Sequence, residues 1–461
     1  MAIHHVKGSD DADAADDVYV ASDPSWTAPK YQMPAHEWDP RRAFELVHDE
    51  LMVEGNARLN LATFCQTWAE PELLALMAQS FDKNMIDKDE YPQTAELELR
   101  CVNMLADLWN APDAEDGIGT STTGSSEACM LGGLALLWRW RERQRAAGRA
   151  TDRPNIVTGA NVQVCWHKFA RYWGVEERLV PMEGQRFILN AEEAVARCDE
   201  NTIAVVGVLG STFTGEYEPI AEIGAALDEL QQRTGLDIPI HVDAASGGFV
   251  APFLQPELVW DFRVPRVKSI NASGHKYGLA PLGVGWVLWR DQAELPEDLV
   301  FRVNYLGGQM PTFGINFSRP GGQIVAQYFN FVRLGRDGYR KIHQTSQDVA
   351  HFLAGHLETM EVFEVITNGS DLPVLTWSLR DGANFTLFEL SARLREYGWQ
   401  VPAYTMAENR TDLVVCRVVV RHGFSHDLAR LLVRHMGEVL EAFATEPDRT
   451  PSAIAHEGFR H

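Results

Sequence analysis

Five short apolar runs constrain what this chain can fold into: Asn155 to Thr158, Ile203 to Leu209, Ile238 to Val242, Val267 to Ile270 and Val284 to Trp289. Helical patterns such as Ile220 to Thr234 stand between several of them. Unbroken apolar runs suit strands covered on both faces, and strand–helix alternation builds a mainly parallel sheet flanked by helices. Upstream, Thr94 to Trp109 has helical periodicity, and a long helix is predicted over Ser126 to Gly148 behind a Gly-Ser-Ser-Glu start. Helix-like stretches at Gln323 to Leu334 and Ser346 to Leu357 lead out of this unit. Beyond them the pattern becomes a smaller α+β unit. Leu372 to Leu379 and Leu413 to Val420 read as strands, Thr386 to Tyr397 and Asp427 to Ala444 as helices. A chain of 461 residues exceeds one ordinary core. The expected division is an N-terminal segment over 1–58, a large domain over 59–345 and a small C-terminal domain over 346–461.

Two segments of the large unit carry chemistry. His241-Val242-Asp243-Ala244-Ala245-Ser246-Gly247-Gly248 puts an aspartate at the end of an apolar strand. Ser269-Ile270-Asn271-Ala272-Ser273-Gly274-His275-Lys276-Tyr277-Gly278 puts a lysine in a turn between two β-type runs. A lysine that forms a Schiff base and an aspartate that holds a pyridinium nitrogen are what pyridoxal phosphate most needs from a protein. Lys276 and Asp243 are therefore the candidates for those roles. Gly124-Ser125-Ser126-Glu127 offers backbone N–H groups, the positive helix end and two hydroxyls to the cofactor's phosphate. The same residues also read as a plain N-cap with Glu127 as a capping-box partner. His275 is a further candidate phosphate donor. The reading calls for no metal.

Composition narrows the partners. The formal charge is −23, from 41 basic and 64 acidic residues, which disfavours nucleic acid and anionic membranes as main partners. The six cysteines, Cys65, Cys101, Cys129, Cys165, Cys198 and Cys416, show no CxxC pair and suit buried free thiols in a reducing compartment. With no signal-peptide pattern and no run of membrane-span length, a cytoplasmic enzyme is expected.

The chain resembles the bacterial glutamate decarboxylases, pyridoxal-phosphate-dependent group II amino acid decarboxylases. The resemblance runs from about residue 35 to the C-terminus. It is carried by Asn60-Leu61-Ala62-Thr63-Phe64-Cys65-Gln66-Thr67-Trp68, Ile86-Asp87-Lys88, Glu90-Tyr91-Pro92-Gln93, Val162-Gln163-Val164-Cys165-Trp166-His167-Lys168-Phe169 and Asn316-Phe317-Ser318-Arg319-Pro320. It implies the aminotransferase-like, type I pyridoxal-phosphate fold, an α/β architecture with a mainly parallel seven-stranded sheet and a smaller C-terminal α+β domain. It implies conversion of L-glutamate and a proton to 4-aminobutanoate and CO2, with a role in glutamate catabolism or acid tolerance.

The resemblance also implies site roles. Ser125, Ser126, His275 and Ser318 would contact the phosphate, Ser318 reaching a neighbouring subunit's cofactor. Thr212 would lie near the ring substituents, with His167 on one ring face and Ala245 on the other. Arg417, with Gln163 beside it, would pair with the substrate α-carboxylate, although an arginine in an apolar strand can equally face solvent. Thr63, Phe64, Asn84 and Asp87 would form the pocket for the side-chain carboxylate. A homodimer or larger homo-oligomer, up to a hexamer, is expected. Competing readings are a decarboxylase for aspartate, cysteine sulfinate or an aromatic amino acid, and a catalytically silent binding protein on the same fold.

The termini depart from this plan or extend it. Residues 1–26 hold an acidic run, Asp10 to Asp17, that reads either as a solubilising tail or as a segment that orders at low pH; its membrane association is left open. No basic, Trp-containing calmodulin-binding extension is expected after the C-terminal domain. The chain ends Gly458-Phe459-Arg460-His461, and His461 is expected to enter the active site as pH rises, or else to be a mobile end.

Overall fold

The computed structural model describes residues 28–304 and 310–445. The acidic run Asp10 to Asp17 and His461 lie outside the described residues. Among the described residues, 28–56 form one compact unit and those from Ala57 a second. The first contains helix α1, Pro40–Leu51, whose N-cap Asp39 accepts from the backbone N–H groups of Arg41 and Arg42.

The second unit is built on a seven-stranded sheet: β1 Ile118–Thr122, β2 Asn155–Gly159, β3 Glu176–Val180, β4 Thr202–Val208, β5 Ile240–Asp243, β6 Val267–Ala272 and β7 Gly285–Trp289. Their order is β1-β7-β6-β5-β4-β2-β3. Strands β2 to β6 run parallel to one another, while β7 is antiparallel to both β6 and β1. The apolar runs of the sequence are its inner strands; every residue of β4 and β5 is buried. β1 and β3 went unpredicted for opposite reasons. β1, Ile-Gly-Thr-Ser-Thr, has a single large apolar residue, and β3, Glu-Glu-Arg-Leu-Val, is an edge strand whose charges blunt the exposed ladder.

Helices α2 Pro71–Gln79, α3 Pro92–Leu108, α4 Ser125–Ala146, α5 Val164–Trp173, α6 Ala191–Ala196, α7 Ile220–Thr234 and α8 Ala251–Leu254 follow in chain order. α4 packs on β6, β7 and α5, and its N-terminal half is buried on most sides. α9, Gly322–Thr359, merges the two stretches predicted separately. Gly335, at φ 56° and ψ −175°, kinks it, a conformation that glycine adopts without a Cβ clash.

Past a two-stranded ribbon of β8 Phe301–Val303 and β9 Met310–Thr312 comes a second sheet. It comprises β10 Phe363–Asn368, β11 Val374–Leu379, β12 Ala403–Thr405 and β13 Val414–Val419, in antiparallel order β10-β11-β13-β12. α10 Leu387–Glu396 and α11 His426–Ala444 cover it together with the end of α9. Its core centres on Leu353, Trp377, Leu390, Trp399 and Leu432. The chain at Asn60 bridges to Gln400, which ties the segment preceding Thr63 to this sheet. Among the described residues no helix is long and apolar enough to cross a membrane.

Candidate active site

In a parallel sheet, loops leaving the carboxyl ends of the strands converge on one crevice. Asp243 is the last residue of β5, and Ser273 to Lys276 follow the end of β6. Gln163 lies just past β2, and Thr212 just past β4. A cavity of about 300 Å³ lies there, lined by Ser125, Ser126, Gln163, Asp243, Ala245 and Lys276, with Cys165, Ser273 and His275 also in its wall.

Asp243 is 3% exposed, and both its oxygens are held. Oδ1 accepts from Asn271 Nδ2 at 3.0 Å and from Ala245 N at 3.2 Å. Oδ2 accepts from Trp166 Nε1 at 2.9 Å and, weakly, from Cys129 Sγ at 3.5 Å. A carboxylate offers about four acceptor sites, so beyond three firm N–H donors one remains, contested with a cofactor nitrogen only by the weak thiol donor. Cys129, Cys165 and Asp243 have ligand-type atoms within 4.8 Å of one another. Burial pushes the Cys129 thiol well above its ordinary pKa, so it stays a protonated donor.

Lys276 carries its amine into the same cavity, with Nζ 5.3 Å from the centroid of the Phe64 ring. Burial lowers its pKa and the negative field of Asp243 partly opposes this, which favours a free nucleophilic amine. α9 and β13 brace the turn that follows. Tyr339 Oη and Gln327 Nε2 donate to Gly278 O at 2.8 and 2.9 Å, and Asn330 Nδ2 donates to Leu279 O at 2.9 Å. Tyr277 Oη donates to Val420 O at 3.2 Å. These bonds hold Leu279 at φ 64°, an uncommon conformation for a residue with a Cβ.

The phosphate candidates cluster at the start of α4. Its N-cap is Gly124, which has no side chain to cap the helix. Glu127 does not close a capping box. Its Oε2 accepts from Thr123 N and Oγ1, and its Oε1 accepts from the backbone of Ile315 and Asn316, so it ties a distant loop to this helix start. His275 lies against Gly124, and burial, then the charge of Lys276, lowers its pKa to about 4. It is a neutral imidazole at physiological pH, and its Nδ1 is buried without a partner.

The second sheet contributes Arg417, which is 8% exposed and faces inward. Its Nη1 donates to Thr212 O and its Nη2 to Ala62 O at 2.7 Å, while its buried Nε has no partner. The guanidinium sits over the Phe64 ring at 4.8 Å, on the ring that also meets Lys276. Thr63 precedes Phe64 in the chain, and its hydroxyl accepts from Cys65 N at 3.1 Å. Gln66 N donates to His275 O at 2.7 Å, which binds the 63–67 segment to the lysine turn.

Two predicted groups are engaged with partners of their own. His167 Nδ1 is 2.7 Å from Glu177 Oε2 and the side chain is 42% exposed; from that part of the chain, the cavity wall is formed by Gln163 and Cys165. Asn84, Asp87 and Ser318 form their own cluster, with Asn84 Nδ2 donating to Asp87 Oδ2 at 3.0 Å and to Ser318 Oγ at 3.3 Å. None of the three lines the cavity beside Lys276.

Residues 29–380 match the model of the pyridoxal-dependent decarboxylase conserved domain. The chain belongs to the pyridoxal-dependent decarboxylase family. It is 60% identical over 461 residues to a glutamate decarboxylase of Aliivibrio fischeri, covering 99% of each chain. It is 48% identical to a Lactococcus lactis glutamate decarboxylase over 97% of this chain and 98% of that one. A solved Lactobacillus brevis glutamate decarboxylase superposes with a TM-score of 0.88 at 48% identity, covering 91% of this chain and 96% of that one.

The donors of this decarboxylase suit pyridoxal phosphate. The cavity joins a primary amine, a carboxylate with a spare acceptor site, a helix N-terminus flanked by two serines, and the orphaned His275 Nδ1. Sequence reading missed the residues that hold these groups. Trp166, Asn271 and Cys129 fix Asp243 across long sequence separations. Arg421 clamps the 60–67 segment through Asn60 O, Cys65 O and Thr67 Oγ1. Trp166 stood inside a quoted motif, but nothing local marked its indole as the partner of Asp243.

Proposed function

We propose that this decarboxylase converts L-glutamate and one proton to 4-aminobutanoate and CO2. The observation that carries the reading is Phe64, whose ring lies beneath both the amine of Lys276 and the guanidinium of Arg417. One surface thus joins the group that holds the cofactor to a buried cation with an unpaired donor suited to a carboxylate. The full-length likeness to glutamate decarboxylases supplies the substrate.

When bound, pyridoxal phosphate supplies a carbonyl that condenses with amines and a ring that accepts the electron pair released at Cα. Lys276 offers an amine whose pKa burial has lowered. Asp243 would hold a proton on the ring nitrogen, and its fixed orientation costs no reorganisation during turnover. Ser125, Ser126, the α4 N-terminus and neutral His275 would hold the phosphate, with Ala245 against the ring and Thr212 beside its substituents. Arg417 would orient the substrate α-carboxylate, with Gln163 nearby. Each turnover consumes a proton, because C–H replaces a carboxylate, which supports a role in acid tolerance.

The assembly we propose is a homo-oligomer. Asn84, Asp87 and Ser318 are bonded to one another outside the Lys276 cavity, and Ser318 is exposed. That placement supports their serving a neighbouring copy's cavity, Ser318 at the phosphate and Asn84 with Asp87 at the substrate side chain. All six cysteines are free thiols, with Cys65 and Cys198 half-buried and the rest buried, which supports a cytoplasmic location.

The test is release of CO2 and 4-aminobutanoate from glutamate by wild type and Lys276→Ala from about pH 4 to about pH 8. Wild type should be active and the variant should fall at least ~10³-fold. Near-normal turnover by the variant would remove Lys276 from the chemistry.

A further inference from the structure

His241 stands two residues before Asp243 on β5 and so shares its face of the strand. It is 0% exposed, and a buried imidazole is tolerated when both its nitrogens are bonded. Nδ1 lies 2.7 Å from Ser269 Oγ and Nε2 lies 2.7 Å from Asn271 Oδ1. The next atom of the chain, Asn271 Nδ2, is 3.0 Å from Asp243 Oδ1 and 3.2 Å from Ser125 Oγ.

The protons in this chain can be assigned. An ionised carboxylate only accepts, so the Asn271 atom facing Asp243 is the amide N–H2. The atom facing His241 is then the amide oxygen, which needs a donor. His241 Nε2 carries that proton, and Nδ1 accepts from the Ser269 hydroxyl. Burial lowers the pKa of His241, in keeping with a neutral ring. At the far end, Ser125 Oγ accepts from Asn271 and from Ser273 Oγ at 2.7 Å. Its own proton is left to donate into the cavity.

We propose that His241 is a positioning residue: acting through Asn271, it holds the Asp243 carboxylate and the Ser125 hydroxyl together and so registers the ring-nitrogen end of the cofactor site against the phosphate end. The ring is itself locked. A Cβ at Gly132 of α4 would lie 2.5 Å from His241 Cε1, so glycine is what lets the imidazole fit. Trp166 also meets it edge-on at 5.0 Å, and the same indole donates to Asp243 Oδ2. A turn of the imidazole would therefore disturb the holders of both Asp243 oxygens.

The inference rests on pyridoxal phosphate occupying this cavity. Its test compares His241→Leu, His241→Gln and Asn271→Ala, each checked for wild-type circular dichroism. The readouts are the dissociation constant for added pyridoxal phosphate, the visible band of the loaded protein, and kcat and KM for glutamate. His241→Leu should weaken cofactor binding about tenfold or more and lower kcat comparably, as loss of a bond supporting a charged group does. KM should stay within about twofold, because nothing on the Arg417 side moves. His241→Gln restores an N–H near the place of Nε2 and should keep cofactor affinity within about threefold of wild type. Asn271→Ala should reproduce the Leu variant with the imidazole intact.

A folded His241→Leu protein with wild-type affinity and band overturns the proposal. So does a folded Gln variant as weak as the Leu variant, which would reduce His241 to packing. Should the Leu variant fail to fold, Asn271→Ala decides alone: unchanged affinity overturns, weakened affinity supports. A wild-type protein that takes up no pyridoxal phosphate would instead sink the reading beneath the proposal.

Discussion

Glu218→Gln should change how stability depends on pH, because the carboxyl it replaces is buried behind the site. Glu218 is 2% exposed. Its Oε1 accepts from Leu189 N at 2.9 Å and Asn161 Nδ2 at 3.0 Å, and its Oε2 from Val208 N at 2.6 Å. The three donors favour the carboxylate, but burial outweighs them and raises the pKa from 4.5 to about 7. A folded-state pKa above the unfolded one means that the folded protein retains a proton the unfolded chain has lost. The contribution to stability is full below pH 4.5 and is lost as pH rises towards about 7. At about 1.4 kcal/mol per unit, the loss is ~3 kcal/mol. Glutamine does not titrate and adds a pH-independent cost, since its NH2 must face one of the donors. Urea midpoints of apo wild type and variant, taken between about pH 4.5 and about pH 8, isolate this group by difference. The wild-type advantage should shrink by ~3 kcal/mol as pH rises and level off near pH 8. A difference that is flat or grows with pH would show that the three donors, not burial, control the carboxyl. Asn161 precedes Gln163 and Val208 precedes Thr212, so both loops should also exchange amide protons faster at the alkaline end.

Arg417→Lys keeps a charge but loses the fork that spans Thr212 O and Ala62 O. Its kcat/KM for glutamate should fall roughly a hundredfold, chiefly through KM; unchanged KM would place Arg417 outside the substrate's reach. Asp243→Asn should bind pyridoxal phosphate more weakly and turn over far more slowly, and unchanged kinetics would separate Asp243 from the ring nitrogen. Glutamate should be preferred to aspartate by at least ~10²-fold in kcat/KM, because the shorter acid leaves polar groups of the pocket unpaired. Equal values would refute the roles of Thr63, Asn84 and Asp87. Removing Gly458 to His461 should leave acid activity intact and extend activity above about pH 6.5, where an unperturbed histidine becomes neutral. The same pH profile with and without the four residues would clear His461 of any blocking role.

Much of the sheet was legible because its inner strands announce themselves locally. Ile203 to Leu209 is apolar on both faces and can only be buried, and a lysine and an aspartate at adjacent strand ends imply one crevice. β1 and β3 were invisible, since a Gly/Thr/Ser strand and a charged edge strand owe their state to neighbours rather than to composition. Gly335 and the mostly polar residues after it divided α9 into two predicted stretches, although Tyr339 and Ile342 carry its core-facing side through that region.

The sequence by itself determined which residues are the candidates for the chemistry. Lys276, Asp243 and the serines of the α4 start are set by local pattern and by likeness to a family. Tertiary structure alone decided who holds them. Strand register brings Asn271 beside Asp243, and the packing of α5 brings the Trp166 indole to the same carboxylate. Folding of the second sheet delivers Arg417 to Phe64 across more than half the chain. The physical reason is one of range. Periodicity and capping act over a few residues, whereas a buried polar group must be satisfied by whichever donor the fold brings within about 3 Å, however far along the chain that donor lies.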